Sequence, residues 1–141
     1  MKRSNLVSSS RRTQRRNLYT APSSQRRKIM SCRLAKELRT THKVRSLPIR
    51  KNDEVKILKG KHKNKTGKVT CAYRRRWCIY VDKVTKEKQN GQPVNVALKP
   101  SYCVIEKLHL DKDRKKLIEK VSAGKNKGDK KVKKSDINNV E

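Results

Sequence analysis

Between Glu54 and Glu106 the apolar residues come in five short runs. Four of them alternate, Val55 with Ile57, Val69 with Cys71, Ile79 with Val81 and Val94 with Val96, and the pair Val104-Ile105 follows. A side-chain period of two places such residues on one face of a strand. The runs are separated by turn chemistry: a glycine-punctuated basic stretch from Gly60 to Gly67, then Arg74-Arg75-Arg76, then Glu87 to Pro93 with Asn90-Gly91 inside it. Asn and Gly both tolerate positive φ, so that dipeptide marks a hairpin. Five short strands, each with one apolar face, predict a mostly-β unit over residues 47–110, a small barrel or curled sheet.

The remainder offers little to bury. Only 32% of the residues are apolar and Phe is absent, so a core drawn from all 141 residues could not offset the ordering entropy. Residues 1–20, with the pairs Arg11-Arg12 and Arg15-Arg16, are expected to be a basic arm that orders only against an anion. Residues 21–46 are expected to be short helices. Ser23 or Ser24 caps a turn through Met30, and a second helix from Ser31 to His42 puts Leu34 and Leu38 on one face, with Arg33, Lys36 and Arg39 off it. Leu47-Pro48-Ile49 stops helix, because proline forces its predecessor into extended geometry. Asp111 to Asp113 then caps a helix over 111–124 with Leu110, Leu117, Ile118 and Val121 as its apolar positions. Gly124 is expected to end it, leaving 125–141 as a Lys-rich tail.

Charge narrows the choice of partner. Lys and Arg number 41 against 12 Asp and Glu, and the net of +29 divides into +14 over residues 1–50, +10 over 51–110 and +5 over 111–141. Excess spread along the whole length strains a free compact fold and is relieved when phosphates displace mobile counterions. Nucleic acid is the expected partner. A membrane surface would need a basic face paired with a large apolar one, and no window combines the two; no apolar stretch approaches a spanning length or a secretory signal. The expected setting is intracellular. The Arg-rich, Ser-rich N-terminus also has the composition of an organellar transit peptide, but the basic character continues far beyond any cleavage point.

Metal and catalytic chemistry find no foothold. Cys32, Cys71, Cys78 and Cys103 contain no C-x-x-C pair, and His42, His62 and His109 are scattered, so no zinc site and no disulfide framework is expected. The thiols are expected to be reduced and to pack as small hydrophobes. No nucleophile–base pair is evident, the glycine loop is not G-x-x-x-x-G-K-[ST], and Asp53 and Glu54 are expected to offset nearby lysines; no enzyme and no cofactor is expected.

The most specific stretch runs from Lys51 to Val69: a strand, the cationic loop KGKHKNKTGK, and a return strand. It resembles the KOW motif. Gly60 and Gly67 permit conformations closed to residues with a Cβ and let the main chain approach a phosphate. Lys59, Lys61, Lys63, Lys65 and Lys68 surround that approach, and His62 adds a donor or a stacking ring. Asn64 stands where many such loops have a third glycine, and Asn tolerates left-handed geometry best among the rest.

The wider blocks APSSQRRKIM, LAKELR, VRSLPIRKNDEV and LDKDRKKLIEK, together with that loop, resemble the L twenty-six family of eukaryotic large-subunit ribosomal proteins, counterpart of the universal L twenty-four, over about residues 15–122. The resemblance implies a five-stranded SH3-like barrel bound to large-subunit rRNA near the mouth of the nascent-peptide tunnel. It also implies neighbouring ribosomal proteins as partners, a single copy in each ribosome, a cytoplasmic location after nucleolar assembly, and a role in early subunit assembly. The residues expected to meet RNA are the loop, the arm residues Arg11, Arg12, Arg15, Arg16 and Tyr19, the block Arg26, Arg27 and Lys28, and Arg45 and Arg50. Arg74, Arg75, Arg76 and Trp77 complete the set, Trp77 being placed equally by stacking on a base or by packing in the core, while Tyr73, Tyr80 and Tyr102 are left to packing. A KOW-type transcription elongation protein and a DNA-condensing protein are the alternatives.

Overall fold

The computed structural model describes residues 7–137, with side chains described as far as residue 124. Residues 1–6 of the expected arm, residues 138–141 of the expected tail and the side chains beyond 124 lie outside the described part.

The core is β. Strands β1 (Ser31–Leu34), β2 (Ser46–Pro48), β3 (Glu54–Ile57), β4 (Thr66–Tyr73), β5 (Cys78–Val81) and β8 (Cys103–Lys107) form one sheet in the order β2-β1-β8-β3-β4-β5. Strands β6 (Thr85–Glu87) and β7 (Pro93–Asn95) pair separately as a hairpin. The only parallel neighbours in the larger sheet are β1 and β8, registered Arg33 with Val104 and Leu34 with Ile105. Leu34, Leu47, Ile57, Ile79 and Ile105 are its largest fully buried side chains. The stretch expected to hold five strands holds six, β3 to β8, the described residues have eight with β1 and β2, and the larger sheet is open, with β2 and β5 as its edges.

The local pattern misassigns one segment. Periodicity joins Ser31–Leu34 to Leu38 in one helix, but the segment forms β1, and helix α3 covers only Lys36–His42. Tertiary pairing decides: Cys32 and Leu34 face the core, Arg33 faces out, and the strand gains partners on both sides. The arm differs as well. Arg11–Thr20 is helix α1, with no buried residue, in a stretch free of Gly and Pro where Arg15 covers the Tyr19 ring one turn on at 5.3 Å. Helix α2 (Ser23–Ile29) begins after Pro22 without the expected serine cap. A register shift between Val69 and Cys71 turns Cys71 outward and breaks the expected alternation. Val94 is likewise exposed, because the β6–β7 hairpin stands off the core.

Helix α4 (Lys112–Ile137) starts where expected: Asp111 accepts the Arg114 amide through its side chain at 2.9 Å and the Lys115 amide through its carbonyl. It continues through Gly124, since one glycine costs a helix only about 1 kcal/mol. Ile118 is buried and Leu117 half-buried, whereas Leu110 and Val121 are exposed.

What fixes α4 to the sheet is a buried ion pair. Asp53 is fully buried and Arg114 is 3% exposed; the guanidinium grips both carboxylate oxygens, with Nη2 to Oδ2 at 2.8 Å. Asp53 also accepts the Arg50 and His109 amides, and Arg114 donates to the His109 and Pro48 carbonyls. Asp53 thus serves Arg114 and not the lysines expected to need it. Beside this node Arg50 pairs with Asp111. Partial desolvation pushes the Asp111 carboxyl up, but the Arg114 amide and the Arg50 guanidinium together hold it below its ordinary value.

The thiols divide by burial. Cys32, Cys78 and Cys103 are buried. Cys32 donates to the Cys103 carbonyl at 2.8 Å, and its pKa is pushed up to about 12 by burial and by the neighbouring Cys103; burial raises Cys103 to about 11. Brief alkylation of the native protein, read by mass spectrometry, is expected to label Cys71 alone and to label all four cysteines after unfolding. Arg114→Ala leaves a buried carboxylate unpaired and is expected to cost about 3–5 kcal/mol in urea unfolding of the free protein. Lys107→Ala, which removes an exposed pair with Glu54, is expected to stay within about 0.5 kcal/mol.

Candidate nucleic-acid interface

The lysine loop is a closed structure. Ile57 donates to the Lys65 carbonyl and accepts the Asn64 amide at 2.8 Å, so the chain leaves and rejoins the sheet at one point. Inside it Lys63 donates to Gly60 and Lys65 to His62. Gly60 takes φ +96° and Asn64 φ +67°, so the Asn does occupy the left-handed position a third glycine would fill. The loop presents Lys59, Lys61, Lys63 and Lys65 to solvent, with Lys68 beyond it on β4, and none of the five belongs to an ion pair among the described residues. His62 is half-buried, and its Nδ1 is enclosed without a hydrogen-bond partner.

Gly67 does something other than expected. Its φ is not left-handed; a Cβ there would lie 2.7 Å from the Asp82 carbonyl oxygen and 2.7 Å from Val81 Cγ1. The glycine lets β4 pass close to the end of β5, a packing role.

Arg74–Arg76 forms a 3₁₀ turn between β4 and β5, all three side chains exposed, with Arg76 over the Tyr73 ring. Trp77 follows at φ +57°, half-buried against the core, and Arg26 lies over its ring at 5.3 Å. Arg26 also donates to the Tyr19 and Ala21 carbonyls, at 2.7 and 2.8 Å. Its guanidinium is therefore a strut from the α1–α2 corner to the β4–β5 turn, and one face of Trp77 is covered. Lys28 is exposed, and Arg27 and Arg50 line a shared cleft with Asp113. Arg11, Arg12, Arg15, Arg16 and Tyr19 are exposed along α1. Tyr73 and Tyr102, expected to pack, are exposed as well.

Local pattern puts Arg33 and Arg39 on the outer side of one helix and leaves Arg45 apart, whereas the fold brings all three to one cleft. Arg33 on β1, Arg39 on α3 and Arg45 just before β2 line one cleft with Ser46. The signal for it is long-range strand pairing, invisible to local periodicity. Among the described residues no group of His, Cys, Asp and Glu could hold a metal ion, and no helix is long and apolar enough to cross a membrane.

Comparison with known proteins gives a consistent answer. The family described as ribosomal proteins L26 of eukaryotes and their L24-type counterparts of archaea matches residues 8–121. The large ribosomal subunit protein uL24A of Saccharomyces cerevisiae is 53% identical over 114 residues, 81% of this chain and 90% of its own length. The large ribosomal subunit protein uL24 of Caenorhabditis elegans is 47% identical over 125 residues, 89% of this chain and 88% of its own.

Gly67→Ala forces the new methyl against backbone that cannot yield. It is expected to destabilise the free protein by about 1–3 kcal/mol in urea unfolding; an unchanged midpoint would remove the packing role.

Proposed function

We propose, from the premise that this chain belongs to the ribosomal protein family of eukaryotic L26 and its archaeal L24-type counterparts, that it holds large-subunit rRNA in place by gripping its phosphates. It is a structural constituent of the large ribosomal subunit and not an enzyme. The observation that carries the binding reading is the loop from Lys59 to Lys68, whose five lysines have no ion-pair partner among the described residues. Bare cations gathered on a rigid turn gain most from an anion that brings many charges at once, and RNA backbone does. With few aromatics to stack bases, the contacts fall on backbone shape and 2′-hydroxyls.

The same proposal assigns the parts. The exposed arginines of α1 and of the Arg74–Arg76 turn extend the footprint, while residues 47–110 act as the gripping unit, an SH3-like KOW module in kind. Two β-bulges, at Glu54/Val55 and Val69/Cys71, and the Ile79–Leu98 bridge support the curl that reading requires. Its partners are large-subunit rRNA and neighbouring ribosomal proteins near the tunnel mouth. Assembly in the nucleolus precedes work in the cytoplasm, and the protein joins the subunit early.

Replacing Lys61, Lys63 and Lys65 together by Ala is expected to weaken binding to large-subunit rRNA and to lower the log–log salt slope by about 2–3. Filter binding across a KCl series measures both. Wild-type affinity and slope in that variant would remove the loop from the interface, and failure to co-sediment with large subunits through high salt would remove the assignment.

A further inference from the structure

The cleft between Arg33, Arg39 and Arg45 has a volume of about 450 Å³ and carries no acidic side chain in its lining. That separates it from two other basic clefts, although the one along α1 that holds Arg11 and Arg15 is free of acid as well. The one holding Arg27, Arg50 and Arg114 includes Asp113, and the one holding Lys68, Lys83 and Lys107 includes Glu54, Asp82 and Glu106. The second is neutralised from within and the first is offset in part; this one has no offset.

It is also built. Leu34 is fully buried, and both its backbone polar groups serve the cleft: its amide donates to the Arg45 carbonyl at 3.0 Å, and its carbonyl accepts Nε of Arg39 at 2.8 Å. The Nε contact aims Arg39 and leaves its two Nη groups without a partner among the described residues. Arg33 stands on the outward face of β1, between the buried Cys32 and Leu34, and joins no ion pair among the described residues. Three arginines thus converge on one core residue, Arg39 through its Nε, Arg45 through its backbone carbonyl and Arg33 as the neighbour of Leu34 in β1, and no carboxylate lines the cleft they share. Mutual repulsion makes the arrangement costly without an anion between them.

Strand directions place the cleft away from the lysine loop. β3 runs antiparallel to β8 and its loop leaves beside Cys103, the first residue of β8. β1 runs parallel to β8, so α3 leaves beyond Ile105, and antiparallel β2 begins at that same end, next to Arg45. We propose that Arg33, Arg39 and Arg45 form a second phosphate clamp, which takes the backbone of an RNA segment distinct from the one at the lysine loop and makes the sheet a spacer between the two. The proposal rests on the RNA-binding reading above. Guanidinium forks match the paired non-bridging oxygens of a phosphodiester, and consecutive phosphates of one strand can occupy consecutive forks.

The test uses the full-length protein and in vitro transcribed large-subunit rRNA. Arg33 and Arg45 are exposed and their side chains make no hydrogen bond in the described fold, so Arg33→Gln with Arg45→Gln is expected to keep the wild-type unfolding midpoint. That variant is expected to lose about tenfold in affinity and about 1–2 from the salt slope. Arg33→Lys with Arg45→Lys is expected to recover the slope but only part of the affinity, since a point charge replaces a fork. Hydroxyl-radical footprinting is expected to show lost protection at an RNA segment different from the one lost by the lysine-loop variant. Wild-type binding by the glutamine pair, beside weakened binding by the loop variant, overturns the clamp and leaves the RNA reading standing. Loss of the same protected segment in both overturns the two-segment claim. Wild-type behaviour of both variants overturns the RNA reading and the clamp with it.

Discussion

A carboxylate and a guanidinium with almost no exposure hold this molecule together, and the rest of its architecture follows from the bonds they make. Taking two charges out of water costs several kcal/mol for each unless every lone pair and proton is matched. Here the matching is extensive: the Asp53 oxygens take two backbone amides and both ends of the Arg114 fork, and the two Arg114 Nη groups also reach two carbonyls. Those partners come from β2, the turn before β3, the link after β8 and α4, so one pair sets the relative position of four pieces of chain. An apolar pair could not do that directionally, and among the described residues of α4 only Ile118 is a buried apolar anchor.

Acidic residues are scarce, and their placement separates the scaffold from the binding surface. Asp53 and Asp111 pair with Arg114 and Arg50 around the helix start, and Glu54 meets Lys107 across the β3–β8 ladder. The basic loop and the three-arginine cleft have none. The scaffold is therefore close to neutral where it packs, and the excess positive charge sits where the surface is open. The division lets a chain of net +29 adopt one fold while still favouring a polyanion around it.

The legible part of the fold is the part governed by local chemistry. Strands β3 and β5, the basic turn, Asn64 at positive φ and the Asp111 cap are each determined within a few residues, and each stands where local pattern puts it. Strand β1 is governed by something else. Its four residues include a leucine that a helix could pair with Leu38, and only its partners β2 and β8, the second some seventy residues later, make the extended form better. The same limit hides the arginine cleft, which exists because β1, α3 and β2 converge, and it hides the role of Gly67, whose neighbour Asp82 is far along the chain. Arg26 carries contacts that a basic run does not announce, since an aromatic ring and two carbonyls engage its guanidinium.

Lysines and arginines divide the binding surface in a way that suits a holder of RNA shape. The loop carries lysines, mobile point charges that follow a phosphate wherever the backbone runs, and the glycine and asparagine turn keeps their stems close without fixing their tips. Arginines whose Nε is already bonded, Arg39 to Leu34 and Arg26 to Ala21, have given up rotamer freedom before any ligand arrives. A pre-ordered fork loses less entropy on contact and accepts fewer geometries. In the proposed grip the mobile cations would supply attraction at any register, and the fixed ones the angle at which the register becomes correct. The short sheet between them, stiffened by a buried ion pair at one corner, would convert the two into a defined distance.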